Sequence, residues 1–149
     1  MKTMFQKETY EEIVSRLDKI NHTDQAKWGK MSVDQMLAHC VETVRVAAGD
    51  KIIKRSLLGY ILGPLVKKDY VSEKPFGMNS PTAPEFKIVD KRDFEKEKQQ
   101  LIFWIEKFHS GGVDQVTKYP HGFFGHLTPE QWALTQYKHL DHHFRQFER

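Results

Sequence analysis

An all-helical domain is what this sequence predicts, and three observations predict it. Four stretches repeat apolar residues at the three- and four-residue spacing of amphipathic helices. Two of them open on one shared pattern, Met31-Ser32-Val33-Asp34-Gln35-Met36 and Leu127-Thr128-Pro129-Glu130-Gln131-Trp132. In each, Ser or Thr caps the helix, Gln three residues on closes a capping box, and the flanking apolar pair makes a hydrophobic staple. Finally, no stretch alternates apolar and polar residues convincingly, although Lys87 to Val89 could pair briefly.

The first helix is announced by Thr9-Tyr10-Glu11-Glu12, read as a capping box, and Ile13, Val14, Leu17 and Ile20 give it a core face. Asn21 is its C-terminal stop, and His22 in the polar linker beyond reads as exposed. The second helix runs from the Ser32 cap to about Ala48, with Gly49 as its C-terminal cap. Its apolar arc holds Val33, Met36, Leu37, Cys40, Thr43, Val44 and Ala47, with His39 at its edge beside Val46 and Thr43, and Cys40 in mid-arc reads as a small core residue. After the basic Lys51, Lys54 and Arg55, the run Ser56 to Val66 reads as a short extra helix broken at Gly63-Pro64, a buried connector rather than a membrane-surface element.

From Asp69 to Val89 the chain reads as one long irregular loop, punctuated by Pro75, Gly77, Pro81 and Pro84, and packing across a cavity mouth. Asp90 marks the third long helix, from about Lys91 to Phe108, which Ser110-Gly111-Gly112 ends. Tyr119 to His126 is a tight loop near the start of the last helix, and its His121 and His126 are secondary candidates for a site. The last helix spans Leu127 to Phe147.

Composition narrows the function. The 149 residues fit one domain, 1–149. A net charge of +3 and no block of five like charges give no reason to expect nucleic acid. The lone cysteine excludes an internal disulfide and fits a reducing compartment. The N-terminus has no apolar signal core, and the longest apolar run is too short to span a bilayer. The expectation is a cytoplasmic protein with neither nucleic acid nor membrane as partner. No glycine-rich phosphate loop and no nucleophile elbow is present.

The histidines carry the rest. Thr128 fixes the phase of the last helix at about 100° per residue. Trp132, Ala133, Gln136, Leu140, Phe144 and Phe147 then form its apolar arc, and His139 and His143 share one edge of it, a turn apart. Two imidazoles so placed can ligate one metal ion. Histidine is so frequent here, 8 in 149, that the spacing alone is near what chance supplies. His142 points towards Lys138 and Arg145 and reads as solvated. On the second helix His39 occupies the matching border position, and as a third ligand it gives the pair its meaning. Alone it would read as a structural residue.

The segments Trp28-Gly29-Lys30-Met31-Ser32 to Met36-Leu37-Ala38-His39-Cys40, and Phe123-Phe124-Gly125-His126-Leu127-Thr128 to Tyr137-Lys138-His139-Leu140-Asp141-His142-His143, resemble the DinB/YfiT-like superfamily of helical proteins, closest to its uncharacterised bacterial branch. The resemblance covers nearly the whole chain. It implies a four-helix bundle of the DinB-like type, with the short extra helix and the long irregular loop between helices two and three. It also implies a metal site at His39, His139 and His143, and dimers. Relatives include transferases of low-molecular-weight thiols and maleylpyruvate isomerase.

Three imidazoles leave a divalent ion with open positions, as in catalytic zinc sites. Zinc or nickel is expected first, then iron or manganese. Glu42, Gln35 and Gln146 are near the ligands by helical spacing and are candidates to orient them. The expected function is metal-dependent chemistry on a small molecule, thiol transfer or hydrolysis. The alternative is a non-catalytic metal-binding or stress-response module.

Overall fold

A computed structural model describes residues 1–148, and among these residues it is all-helical, with no strand. The five α-helices are α1 (Lys7–Asp18), α2 (Val33–Ala47), α3 (Leu57–Tyr70), α4 (Phe94–Gln115) and α5 (Pro129–Gln146), with a single 3-10 turn at Pro84–Phe86. No helix is long and apolar enough to cross a membrane.

α1 packs against α4 and α5, and α2 packs against the same two, so these four helices surround one core. Ile13 and Leu17 of α1, Met36 and Leu37 of α2, Leu101, Ile105 and Phe108 of α4, and Trp132, Leu140 and Phe144 of α5 are all buried there. Each such side chain taken from water stabilises the fold by roughly 1.5–3 kcal/mol before entropy is counted. Cys40 lies among them, fully buried, and burial pushes its thiol pKa up, so it is a core residue.

Both shared caps form. The Ser32 N–H donates to Gln35 Oε1 at 3.1 Å. At α5 the Thr128 N–H donates to Gln131 Oε1 at 3.0 Å, and the Gln131 N–H returns to Thr128 Oγ1 at 3.2 Å. Gly49 follows α2 at φ 76°, the left-handed conformation expected of its terminator.

Three boundaries differ from the sequence expectation. α1 begins at Lys7 behind Gln6, and Thr9 lies buried inside the helix, its hydroxyl 3.2 Å from Gln6 Oε1. α4 is capped by Asp93, which accepts from the Lys96 N–H at 2.9 Å, rather than by Asp90. At its other end Gly112 leaves helical geometry at φ 53°, yet a further turn carries the element to Gln115.

The larger correction concerns α3. Gly63-Pro64 does not break it, and it is not a buried connector. Pro64 sits on the solvent side, so the carbonyl of Tyr60 that loses its helical partner also faces outward, where water can satisfy it. The inner side docks through Gly59 and Gly63 and, at its end, through Tyr70, whose ring stacks on Phe124 with centroids 3.7 Å apart. A Cβ on Gly59 would lie 2.7 Å from the Phe123 carbonyl oxygen, and one on Gly63 would lie 2.3 Å from it. Only hydrogen at these two positions lets the helix backbone sit this close to the 121–126 loop. The Ser56 N–H donates to the Gly122 carbonyl at 2.8 Å, and Lys67 Nζ reaches the His126 carbonyl. Every large apolar side chain of α3 that is not used in this contact faces outward.

The segment between α3 and α4 touches the body at several points. Phe76 stacks on Tyr70 with ring centroids 5.3 Å apart, and Phe86 presents its carbonyl to α2. Lys138 of α5 is buried beneath this segment and donates to the carbonyls of Tyr70 and Ser72, 2.7 Å each, closing the C-terminus of α3.

Candidate metal centre

α2 and α5 lie side by side, and their capping boxes set the rotation at which each presents its inner face. His39 from α2 and His139 and His143 from α5 meet there, with ligating atoms all within 4.8 Å of one another. The three ring centroids are 4.6–4.9 Å apart. His39 and His143 are buried, 4% and 7% exposed, and His139 is half-buried, so the cluster opens on the His139 side.

The tautomer of each ring follows from what its Nδ1 meets. His39 Nδ1 lies 2.9 Å from the Phe86 carbonyl, which can only accept, so this nitrogen carries the proton. His143 Nδ1 lies 2.8 Å from Gln146 Oε1 and is a donor for the same reason. Gln146 is itself fixed, its Nε2 donating to the Trp28 carbonyl at 2.7 Å. Thr43 Oγ1 gives its proton to the Cys40 carbonyl at 2.9 Å, so towards His139 Nδ1, 3.3 Å away, it is an acceptor. All three rings are therefore protonated at Nδ1 and carry a lone pair at Nε2. The Nε2 atoms of His39 and His139 face each other at 2.9 Å. Two lone pairs at that distance repel, and either a cation between them or a shift of the His139 proton to Nε2 removes the repulsion.

Electrostatics keep the rings neutral. Burial lowers the pKa of His39. It holds His139 well below the usual imidazole range, with the neighbouring His143 and His39 acting in the same direction. It brings His143 down to about 3. Neutral imidazole is the form that ligates metal.

The other sequence candidates fall elsewhere. Of the three residues expected to orient the ligands, only Gln146 does so. Glu42 is held by Arg45 at 2.8 Å and by Lys51, and Gln35 is spent on the Ser32 cap and the Asp90 carbonyl. His142 is not solvated. It is buried, with Trp28 and Phe76 rings 5.7 and 6.5 Å away, because the segments around residues 28 and 76 fold over that side of α5. Burial lowers its pKa. Its ring lies 5.0 Å from that of His143, and its outer side lines a cleft of about 580 Å³ shared with Trp28, Phe76, Met78 and Arg145. His121 takes the backbone N–H groups of Phe123 and Phe124 on its Nδ1 at 3.0 and 3.2 Å and shapes the loop under α3, and His126 and His22 are exposed. Thr43 and the Phe86 and Trp28 carbonyls went unforeseen. Thr43 was legible as a neighbour of His39 on α2, whereas the two carbonyls come from aperiodic segments that carry no such signal.

Fold and site together define a helical protein in which two neighbouring helices bring three neutral histidines to one point, a donor set suited to a divalent cation. The chain belongs to the family described as Protein of unknown function (DUF1569), whose model matches residues 2–149. No curated protein and no solved structure matches the chain.

Proposed function

We propose that this chain is a metal-dependent enzyme of the DinB-like four-helix-bundle type, holding a divalent ion through Nε2 of His39, His139 and His143 and acting on a small molecule by thiol transfer or hydrolysis. One observation carries the reading: each Nδ1 is committed to an oxygen acceptor, and the three remaining lone pairs converge. Oriented imidazoles of this kind, with the second nitrogen hydrogen-bonded, are how proteins prepare ligands for metal.

When bound, the ion would supply Lewis acidity, lowering the pKa of a water or thiol ligand or polarising a carbonyl. The chain's own part is to hold the ligands and restrict access. Phe86 and the 69–89 segment cover His39, Gln146 locks His143, and the half-buried edge of His139 leaves the approach. The cleft beside His142 is lined by Lys27, Arg145 and Glu148 and by none of the three histidines of the cluster. Imidazole ligands suit zinc and nickel first, with iron and manganese also compatible.

A second reading is favoured by one feature. Glu42, the carboxylate nearest the ligands by helical spacing, is neutralised by Lys51 and Arg45, so it is not available as a general base. A site of this kind could hold metal without turnover, as a binding or stress-response module.

Metal analysis of protein purified without a polyhistidine tag tests the site, with one ion per chain expected. Wild-type metal content in the His39→Ala, His139→Ala and His143→Ala variants would sink both readings. Turnover of electrophiles with several low-molecular-weight thiols, and of simple esters and amides, separates enzyme from module. Metal-dependent turnover lost in His139→Ala supports the enzyme, and a loaded protein inert across the panel supports the module.

A further inference from the structure

We infer that α3 is an interfacial helix whose outer face rests on an anionic lipid surface. Leu57, Ile61 and Leu65, one turn apart, are 80%, 64% and 75% exposed. Leu58, Tyr60, Leu62 and Val66 widen the stripe. The inner side is consumed by the close approach of Gly59 and Gly63 to Phe123, and among the described residues nothing covers the outer one. An apolar helical face of this size needs an occupant.

Charge identifies it. Between Lys51 and Lys68 the chain carries five basic residues and no acid, with Lys51 paired to Glu42 and Asp69 next after Lys68. They bracket the apolar stripe. Lys54 and Arg55 stand at its start, with the Arg55 guanidinium 4.1 Å over the Tyr60 ring at the stripe's edge, and Lys67 and Lys68 stand at its end. Lys54 and Lys68 are exposed. Apolar residues between basic ones are what a helix lying in the headgroup region presents to anionic lipid. At 14 residues, closed by Lys67-Lys68, α3 lies on such a surface and does not cross it.

A second copy of the chain fits less well. Isologous pairing through α3 would set Lys54 and Arg55 against Lys67 and Lys68 of the other copy in an antiparallel arrangement, or against their own equivalents in a parallel one. Either way like charges meet, with Asp69 as the one acid of α3 to offset them. The inference is independent of the metal site, which lies on α2 and α5.

The test is flotation of the full chain with vesicles of phosphatidylcholine alone and of phosphatidylcholine mixed with phosphatidylglycerol. Binding is expected to the mixed vesicles only, and to fall as salt rises. Lys54→Glu and Lys68→Glu should each weaken it roughly five-fold or more, and Ile61→Ser with Leu65→Ser should abolish it. These side chains are solvent-facing, so circular dichroism and metal content should match the parent. No binding to the mixed vesicles overturns the inference. So does equal binding to both vesicle types that survives the serine changes. A concentration-dependent dimer removed by Ile61→Ser and Leu65→Ser, without vesicle binding, overturns it in favour of a second copy.

Discussion

Nε2 of His39 on α2 and Nε2 of His139 on α5 face each other at 2.9 Å, while the opposite nitrogen of each ring is hydrogen-bonded to an oxygen acceptor. Without metal the contact needs one ring to carry its proton on Nε2, and with metal it becomes a cross-link between two helices of the core. Metal should therefore stabilise the fold. At free metal a thousandfold above Kd the linkage amounts to about 4 kcal/mol, read as a rise in melting temperature that chelator reverses. His139→Ala should remove that response. A melting temperature indifferent to chelator in the metal-loaded parent would contradict the cross-link.

Gln146 should tune affinity without being a ligand. It accepts from His143 Nδ1 and is anchored on Trp28. Gln146→Leu removes the acceptor and should weaken metal binding about 10–100-fold, with one ion still bound at saturation. Gln146→Glu restores an acceptor and should recover most of the affinity. Competition with a chromophoric chelator measures both, and equal losses in the two variants would reduce Gln146 to a packing role.

The meeting of His39, His139 and His143 was legible in sequence for a physical reason. Ser32 and Thr128 specify where α2 and α5 begin, and from there a period of 3.6 residues gives the direction of every side chain on its own helix. That same argument cannot say what another segment does. His142 points away from the arc, as its phase requires, yet it is buried because Trp28 and Phe76 are laid over it. Lys138 is buried for a related reason, drawn under the chain by the Tyr70 and Ser72 carbonyls. α3 was misjudged in both respects. Its glycines looked like breakers because composition does not distinguish a glycine that ends a helix from one that lets two backbones touch.

That distinction yields a prediction for Gly63. A methyl group there would meet the Phe123 carbonyl oxygen at 2.3 Å, a backbone atom that no rotamer change can move aside. Gly63→Ala should cost about 1–3 kcal/mol, and the loss should be local. Hydrogen exchange should speed up across α3 and the 121–126 loop, beginning with the Ser56 N–H that donates to Gly122. α1, α2, α4 and α5 should keep their protection, since α3 meets their core through Tyr70 at its last position and not through Gly63. Uniform loss of protection would mean that α3 is integral to that core.

His121 gives the pH dependence of the same region. Burial lowers its pKa from 6.5 to about 4, and its Nδ1 accepts the N–H groups of Phe123 and Phe124, which a protonated ring could not do. Between those two values the unfolded chain holds a proton on this ring that the folded chain refuses. The stability His121 contributes is therefore complete above pH 6.5 and is lost as pH falls towards 4, a change on the order of 3 kcal/mol. His121→Asn keeps a side-chain acceptor but does not titrate. Denaturant unfolding of metal-free parent and variant across this window isolates the effect, because the contributions of His39, His139 and His143 are common to both. The parent should lose stability more steeply on acidification, by up to one proton's slope, about 1.4 kcal/mol per pH unit. Parallel curves would show that His121 titrates alike in the folded and unfolded chain, and that its contacts with Phe123 and Phe124 do not depend on a neutral ring.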